Sequence, residues 1–162
     1  MKKAIGKAIS LLIGGAAGAM AGSAATGAVM GKRLQDKNEW FKKVVSYYHL
    51  YDQWLSIRQQ GKSLVAYFEK NNYKTVAIYG MKELGERLYD ELKDSDVAVK
   101  YFIDKNAGEL YADVDILTPD DELEPVDAIV VTATYYFDDI EETLGEKVEY
   151  PIVSLEDIIY EV

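Results

Sequence analysis

The residues best suited to chemistry lie in a glycine-bracketed turn. Residues 74–92 combine a short apolar run, a turn from Gly80 to Gly85 and an amphipathic helical pattern. Because glycine has no Cβ, such a turn allows a phosphate to approach the N–H groups at the start of the helix. Met81 would add its backbone to this contact, and Lys82 a positive charge. The turn therefore predicts a nucleotide-binding site.

Polar side chains at the ends of two further apolar runs extend this prediction. Asp104 follows Gly80 by 24 positions, near the spacing at which a carboxylate holds ribose hydroxyls. Thr132 and Thr134 offer hydroxyls to a phosphate or ribose, and Tyr135 or the neighbouring Tyr136 offers a ring to a base. Each residue also has a structural interpretation, in which glycines serve packing, Asp104 and the threonines cap loops, and the aromatics cover the sheet.

The turn differs from the dinucleotide fingerprint G-x-G-x-x-G at one position. Lys82 stands where the middle glycine brings the backbone against a pyrophosphate. This weakens the case for NAD, although a nucleotide-sugar and NAD both remain candidate ligands. No set of acid, base and nucleophile is visible, so we assign no catalytic or metal-binding residue and expect binding rather than catalysis.

The elements that must position these residues alternate between strand and helix patterns. We predict an α/β fold, with N-terminal helices followed by a five-stranded parallel Rossmann-like sheet of order 3-2-1-4-5. Residues 118–121, Thr-Pro-Asp-Asp, predict a helix N-terminus, and Ser154 a second one. The strand order reverses between strands 1 and 4, so the glycine turn and the Thr132 exit should share one crevice.

An aromatic-rich connector precedes the sheet. Residues 34–60 contain no proline or glycine and predict one helix ended by Gly61, with a short second helix within 61–72. Its aromatic residues indicate a juxtamembrane or partner-facing surface, or packing on the C-terminal domain or on a second copy. We therefore divide the chain into residues 1–33, the connector 34–72 and a Rossmann-like domain 73–162.

The N-terminal residues 8–31 carry no charge and repeat small residues every four positions. As a helix this segment would be about 36 Å long, enough to cross a hydrocarbon core of roughly 30 Å. The repeat resembles glycine-zipper membrane segments, including those of YtxH-like bacterial proteins, and implies helix association. A membrane-inserted span or hairpin, a signal peptide cleaved near Ala19-Met20-Ala21, and a soluble assembly are the three interpretations.

Charge and composition limit the partners and the location. The 162-residue chain has a net charge of -10 and no cysteine, and residues 1–43 hold eight of the 18 basic residues but only two of the 28 acidic ones. An acidic C-terminal part argues against a nucleic-acid partner. Basic residues after the apolar segment favour a membrane location with the C-terminal domain in the cytoplasm.

Three stretches, VAIYGMKELGERLYDEL, YFIDKN and IVVTATYYFDDIEETL, carry a family resemblance. They resemble Rossmann-like domains of bacterial surface-polysaccharide proteins, namely the N-terminal part of PglD-type sugar acyltransferases and the C-terminal domains of sugar C-methyltransferases. The resemblance implies nucleotide or nucleotide-sugar binding. We expect a membrane-tethered accessory module for cell-envelope glycan assembly, or alternatively a structural homo-oligomer built through the glycine zipper and aromatic helix with a non-binding head.

Overall fold

The computed structural model describes the backbone from Lys2 to Val162 and the side chains of Met30 and residues 32–162. The chain divides into two compact units, Met1–Val45 and Ser46–Val162. Helix α1 (Lys2–Gln59) begins in the first unit and ends in the second. Apart from Met30, the residues 8–31 on which the N-terminal predictions rest lie outside the described side chains. Within the part that is described, no helix combines the length and apolar character needed to cross a membrane.

A five-stranded sheet forms the centre of the second unit. All neighbouring strands pair in parallel, and their order is β3-β2-β1-β4-β5, which confirms the predicted fold class and order. The strands β1 and β4 are central and almost entirely buried, as their continuous apolar sequences predict. The strands are β1 (Thr75–Tyr79), β2 (Ala98–Ile103), β3 (Asp115–Leu117), β4 (Ala128–Val131) and β5 (Ile152–Ser154).

Helices cover both faces of this sheet. One face packs against side chains of α1, α2, α3 and α5, whereas the other packs against α4 and against the loops that flank β3, β4 and β5. The side chain of Ser154 accepts a hydrogen bond from the Glu156 N–H, so the predicted helix start is confirmed. The helices are α2 (Val65–Lys70), α3 (Glu83–Leu92), α4 (Phe137–Gly145) and α5 (Leu155–Glu161).

The helix predicted to begin at residues 118–121 does not form, and that prediction was wrong. Instead the Asp121 carboxylate accepts hydrogen bonds from the N–H and hydroxyl of Thr118 at 2.6 and 2.8 Å, which closes a turn. The following residues, Glu122 to Val126, include Pro125, which has no N–H for a helical hydrogen bond and disfavours helical geometry at Glu124. Leu123 and Val126 pack against the core without forming a helix.

The C-terminal part of α1 is anchored to the sheet domain. Leu50, Trp54 and Ile57 are buried in the core beside α2 and α3. The Glu91 carboxylate of α3 accepts hydrogen bonds from the Trp54 indole at 2.8 Å and from the backbone N–H of Leu64 at 2.8 Å. The predicted stop is confirmed, because α1 ends at Gln59 and Gly61 has a φ of +75°.

Candidate functional site

The turn after β1 has a backbone geometry that requires both of its glycines. Gly80 has a φ of +97°, and a Cβ there would lie 2.8 Å from the Thr132 hydroxyl oxygen. A Cβ on Gly85 would overlap the Gly80 carbonyl oxygen, because the first turn of α3 packs directly onto the turn. The Gly80 N–H donates to the Ile103 carbonyl at 2.8 Å. Packing alone therefore accounts for these two glycines.

The Asp104 carboxylate points into this turn. Asp104 is only 7% exposed, and its Oδ2 accepts the Met81 N–H at 2.9 Å. Its Oδ1 accepts the backbone N–H of Asn106 at 2.9 Å and the side-chain amide of Asn106 at 3.3 Å. Both oxygens thus hold loop residues through hydrogen bonds. A ribose hydroxyl would have to donate to their remaining lone pairs. The Met81 side chain is buried in the core, so only its backbone faces the turn.

Thr132 joins the exit of β4 to the same turn. Its hydroxyl lies 3.0 Å from the Tyr79 carbonyl oxygen and 2.9 Å from the Gly80 carbonyl oxygen. Its backbone N–H also donates to Tyr79, at 2.9 Å. Because a hydroxyl has one proton, it donates to one of these two carbonyls at a time. Thr132 is buried and serves the turn, so its polar atoms already have partners inside the protein.

The residues after Thr132 combine a buried hydroxyl with two partly exposed aromatic rings. Thr134 is 7% exposed, and its hydroxyl is the one buried side-chain polar atom in the described part of the chain that lacks a hydrogen-bond partner. It begins a 3₁₀ turn, Thr134–Tyr136. Tyr135 and Tyr136 are 40% and 45% exposed, and their rings meet edge to face with centroids 5.3 Å apart. A buried unpaired hydroxyl thus lies next to two accessible rings.

The charges around the turn are mostly negative. Lys82 is exposed and immediately precedes α3, whose first turn contains Glu83 and Glu86. With Asp104, three carboxylates accompany one ammonium group. The helix N-terminus and Lys82 both favour an anion, but the carboxylates oppose it. This balance disfavours a ligand that carries a high negative charge.

Two neighbours of the site, Tyr47 and Asn106, were not predicted. Burial raises the pKa of the Tyr47 hydroxyl in α1, and the nearby Tyr136 and Glu83 raise it further. No motif predicts that Tyr47 approaches these residues. Asn106 is easier to find, since Asp-x-Asn after a strand favours a side-chain turn. Burial likewise raises the pKa of Tyr79, with Asp104 as the second cause.

The predicted site residues thus fall into two groups. Hydrogen bonds or close packing link the glycine turn to Asp104 and Thr132, whereas Thr134 and Tyr135 lie beyond Thr132 on the β4 side. Lys82 lies at the exposed start of α3, next to Glu83. Among the described residues, no group of three or more His, Cys, Asp or Glu residues is arranged to hold a metal ion.

Comparisons of the chain with protein-family models, curated proteins and solved structures find no match. The resemblance to PglD-type and YtxH-like proteins therefore stays a prediction.

Proposed function

We propose that the sheet domain binds a nucleotide or nucleotide-sugar at the carboxyl ends of β1, β2 and β4. The observation that carries this proposal is the convergence of the Gly80 turn, Asp104 and the Thr132 exit beside the reversal of strand order between β1 and β4. Ligands of open parallel sheets bind in the crevice at such a reversal. The unpaired Thr134 hydroxyl supports the same location.

The turn favours a nucleotide-sugar or nucleoside monophosphate over NAD, because Lys82 stands where the middle glycine of the dinucleotide fingerprint belongs. We assign the start of α3 and Lys82 to a phosphate, since N–H groups and an ammonium both favour anions. The rings of Tyr135 and Tyr136 would stack on a base or on the apolar face of a sugar, and Thr134 would gain a hydrogen-bond partner. The Asp104 Oδ2 would accept a hydrogen bond from a ribose hydroxyl in addition to the one that it accepts from the Met81 N–H.

We further propose that this domain acts as a membrane-tethered accessory module in cell-envelope glycan assembly. The uncharged residues 8–31 would provide the tether, and the basic residues that follow them favour a cytoplasmic sheet domain. We assign the module a binding role, because none of the site residues forms an acid, base and nucleophile arrangement that supports a reaction.

Hydrogen–deuterium exchange of the full chain in detergent micelles tests the binding proposal. The probes are UMP, UDP-glucose, GDP-mannose and NAD, each compared with inorganic phosphate. We expect a nucleotide-sugar to slow exchange in residues 80–86 and 132–137 but not in α5, which serves as the internal control. Unchanged exchange in both segments with all four nucleotide probes would contradict the proposal.

A structural homo-oligomer is the second candidate function. It is favoured by the large apolar side chains that α1 leaves exposed, among them Phe41, Tyr48 and Leu55. A stable assembly that fails to respond to all four probes in the exchange experiment would support this candidate in place of the first.

A further inference from the structure

The exposed apolar side chains of α1 follow a regular repeat. Leu34, Phe41, Tyr48 and Leu55 recur every seven residues, and Val44 and Tyr51 fall three residues after two of them. Met30 continues this pattern towards the N-terminus, and Lys37 is the one charged residue in it. The seven apolar members, which we call the α1 stripe, are 37% to 68% exposed: Met30, Leu34, Phe41, Val44, Tyr48, Tyr51 and Leu55.

This 3–4 spacing is the pattern by which one helix packs along another. Apolar residues at the a and d positions of a heptad form a seam that stays in contact with a partner helix when both supercoil. The stripe covers 26 residues, or about 39 Å of helix. Its repeat extends over more than three heptads, whereas contact with a flat membrane surface does not require a period of 3.5 residues.

The sheet domain buries a different set of α1 residues, and of the stripe only Tyr51 and Leu55 line a groove together with Arg87 and Asp90 of α3. It buries Leu50, Trp54 and Ile57, which lie on a different side of the helix from Tyr48 and Leu55. The stripe and the adjacent Trp40, which is 65% exposed, together expose on the order of 800 Å² of apolar surface, about the area that each partner contributes to a standard-size interface.

Charges of both signs flank the stripe. Residues 30–59 contain six basic residues, Lys32, Arg33, Lys37, Lys42, Lys43 and Arg58, and three acidic ones, Asp36, Glu39 and Asp52. Opposite charges beside an apolar heptad seam can form ion pairs between two identical helices, as they do in coiled coils.

We propose that a second copy of this chain packs its α1 stripe against this one, in parallel and in register. The parallel direction brings the small-residue repeats of residues 8–31 in the two copies together, whereas the antiparallel direction would place them at opposite ends. In register, the Lys37 side chains meet in one layer, and a single polar layer of this kind specifies alignment at a cost in affinity. This inference does not depend on what the sheet domain binds.

Disulfide cross-linking of the full chain tests this pairing, because the chain has no cysteine of its own. Leu34→Cys and Tyr48→Cys place single thiols on the stripe, and Gln35→Cys and His49→Cys are controls one position away. We expect both stripe variants to form covalent dimers under mild oxidation at least about tenfold faster than their controls. Association through residues 8–31 alone would not separate stripe from control.

Equal cross-linking at stripe and control positions would overturn the proposal. A cross-link at only one of the two stripe positions would indicate antiparallel crossing and would overturn the parallel arrangement.

As a second measurement, Phe41→Glu should abolish cross-linking in the Tyr48→Cys background, whereas Lys42→Glu should not. Loss of binding to phosphatidylglycerol vesicles in Phe41→Glu, with cross-linking unchanged, would assign the stripe to a membrane instead.

Discussion

The two sides of the crevice at the carboxyl edge of the sheet differ in how their polar groups are used. On the side of β1 and β2, the Asp104 carboxylate and the Thr132 hydroxyl bond to the backbone of the Gly80 turn. On the β4 side, the Thr134 hydroxyl has no partner among the described residues, and Tyr135 and Tyr136 are partly exposed. The side of β1 and β2 is therefore fixed by its own hydrogen bonds, whereas the β4 side holds the Thr134 hydroxyl that a ligand would satisfy.

This difference changes how the predicted site residues should be interpreted. A carboxylate and a hydroxyl at the expected positions of a nucleotide site need not contact the nucleotide, because the turn itself requires them. Substitutions on the two sides should therefore have different effects on stability and on ligand binding.

Gly85→Ala should destabilise the sheet domain most. Its Cβ would overlap the Gly80 carbonyl oxygen, a backbone atom that can move only if α3 shifts away from β1. We expect the free energy of unfolding in urea to fall by about 3 kcal/mol or more. Gly145→Ala and Gly108→Ala are matched controls, since a Cβ at either position meets no atom within 4 Å. A loss in Gly85→Ala no larger than in these controls would refute the packing role.

Asp104→Ala should destabilise the sheet domain to a smaller degree. It leaves the Met81 N–H and two donors of Asn106 without their carboxylate partner in a mostly buried place. We expect a loss of about 2 kcal/mol in the unfolding free energy. Asp113→Ala, at an exposed loop position, should change it by less than about 0.5 kcal/mol. Equal effects of the two variants would show that the Asp104 contacts contribute little.

The paired variants Thr132→Val and Thr134→Val separate the two sides directly. Thr132→Val removes a hydroxyl bonded to the turn, and should lower the unfolding free energy by about 1 kcal/mol. Thr134→Val replaces an unpaired buried hydroxyl by a methyl group, and should leave stability unchanged or increase it. A clear loss of stability in Thr134→Val would mean that its hydroxyl has a partner within the protein.

Alkaline pH should produce the smallest effect, confined to a narrow range. Burial raises the pKa of Tyr79 above the value of 10.0 of a free tyrosine, and Asp104 adds to the shift. Between that value and the raised folded-state pKa, the unfolded chain loses its proton first, so the unfolding free energy falls as pH rises. Tyr79→Phe should make this fall less steep in urea denaturation above pH 10. An identical slope in the variant would contradict the shift.

The fold was predictable because its signals are strong and local. The continuous apolar runs of β1 and β4 require two covered faces, and the alternation with amphipathic α3 and α4 allows few other topologies. The glycine turn was predictable for the same reason. The helix predicted after Thr118 was wrong because Asp121 closes a turn onto Thr118 and Pro125 then prevents a helix from continuing.

The orientation of the site residues was not predictable from the sequence. Whether Asp104 points to solvent or to the Met81 N–H depends on the three-dimensional approach of β2 to the turn, which its sequence spacing does not encode. The connector posed a similar problem. Its aromatics surround much of the helix, so periodicity alone could not show that Trp54 is buried while Trp40 and Tyr48 are exposed.

Titration calorimetry of the full chain in detergent micelles tests whether a nucleotide-sugar binds on the β4 side of the crevice. UDP-glucose, GDP-mannose, UMP and NAD are added to the native chain and to Thr134→Val, whose stability should be preserved. We predict saturable heat with a nucleotide-sugar and an affinity that falls about three- to tenfold in the variant, the cost of one lost hydrogen bond. Absence of heat with all four compounds, or equal affinity in the two chains, would contradict a ligand site on the β4 side.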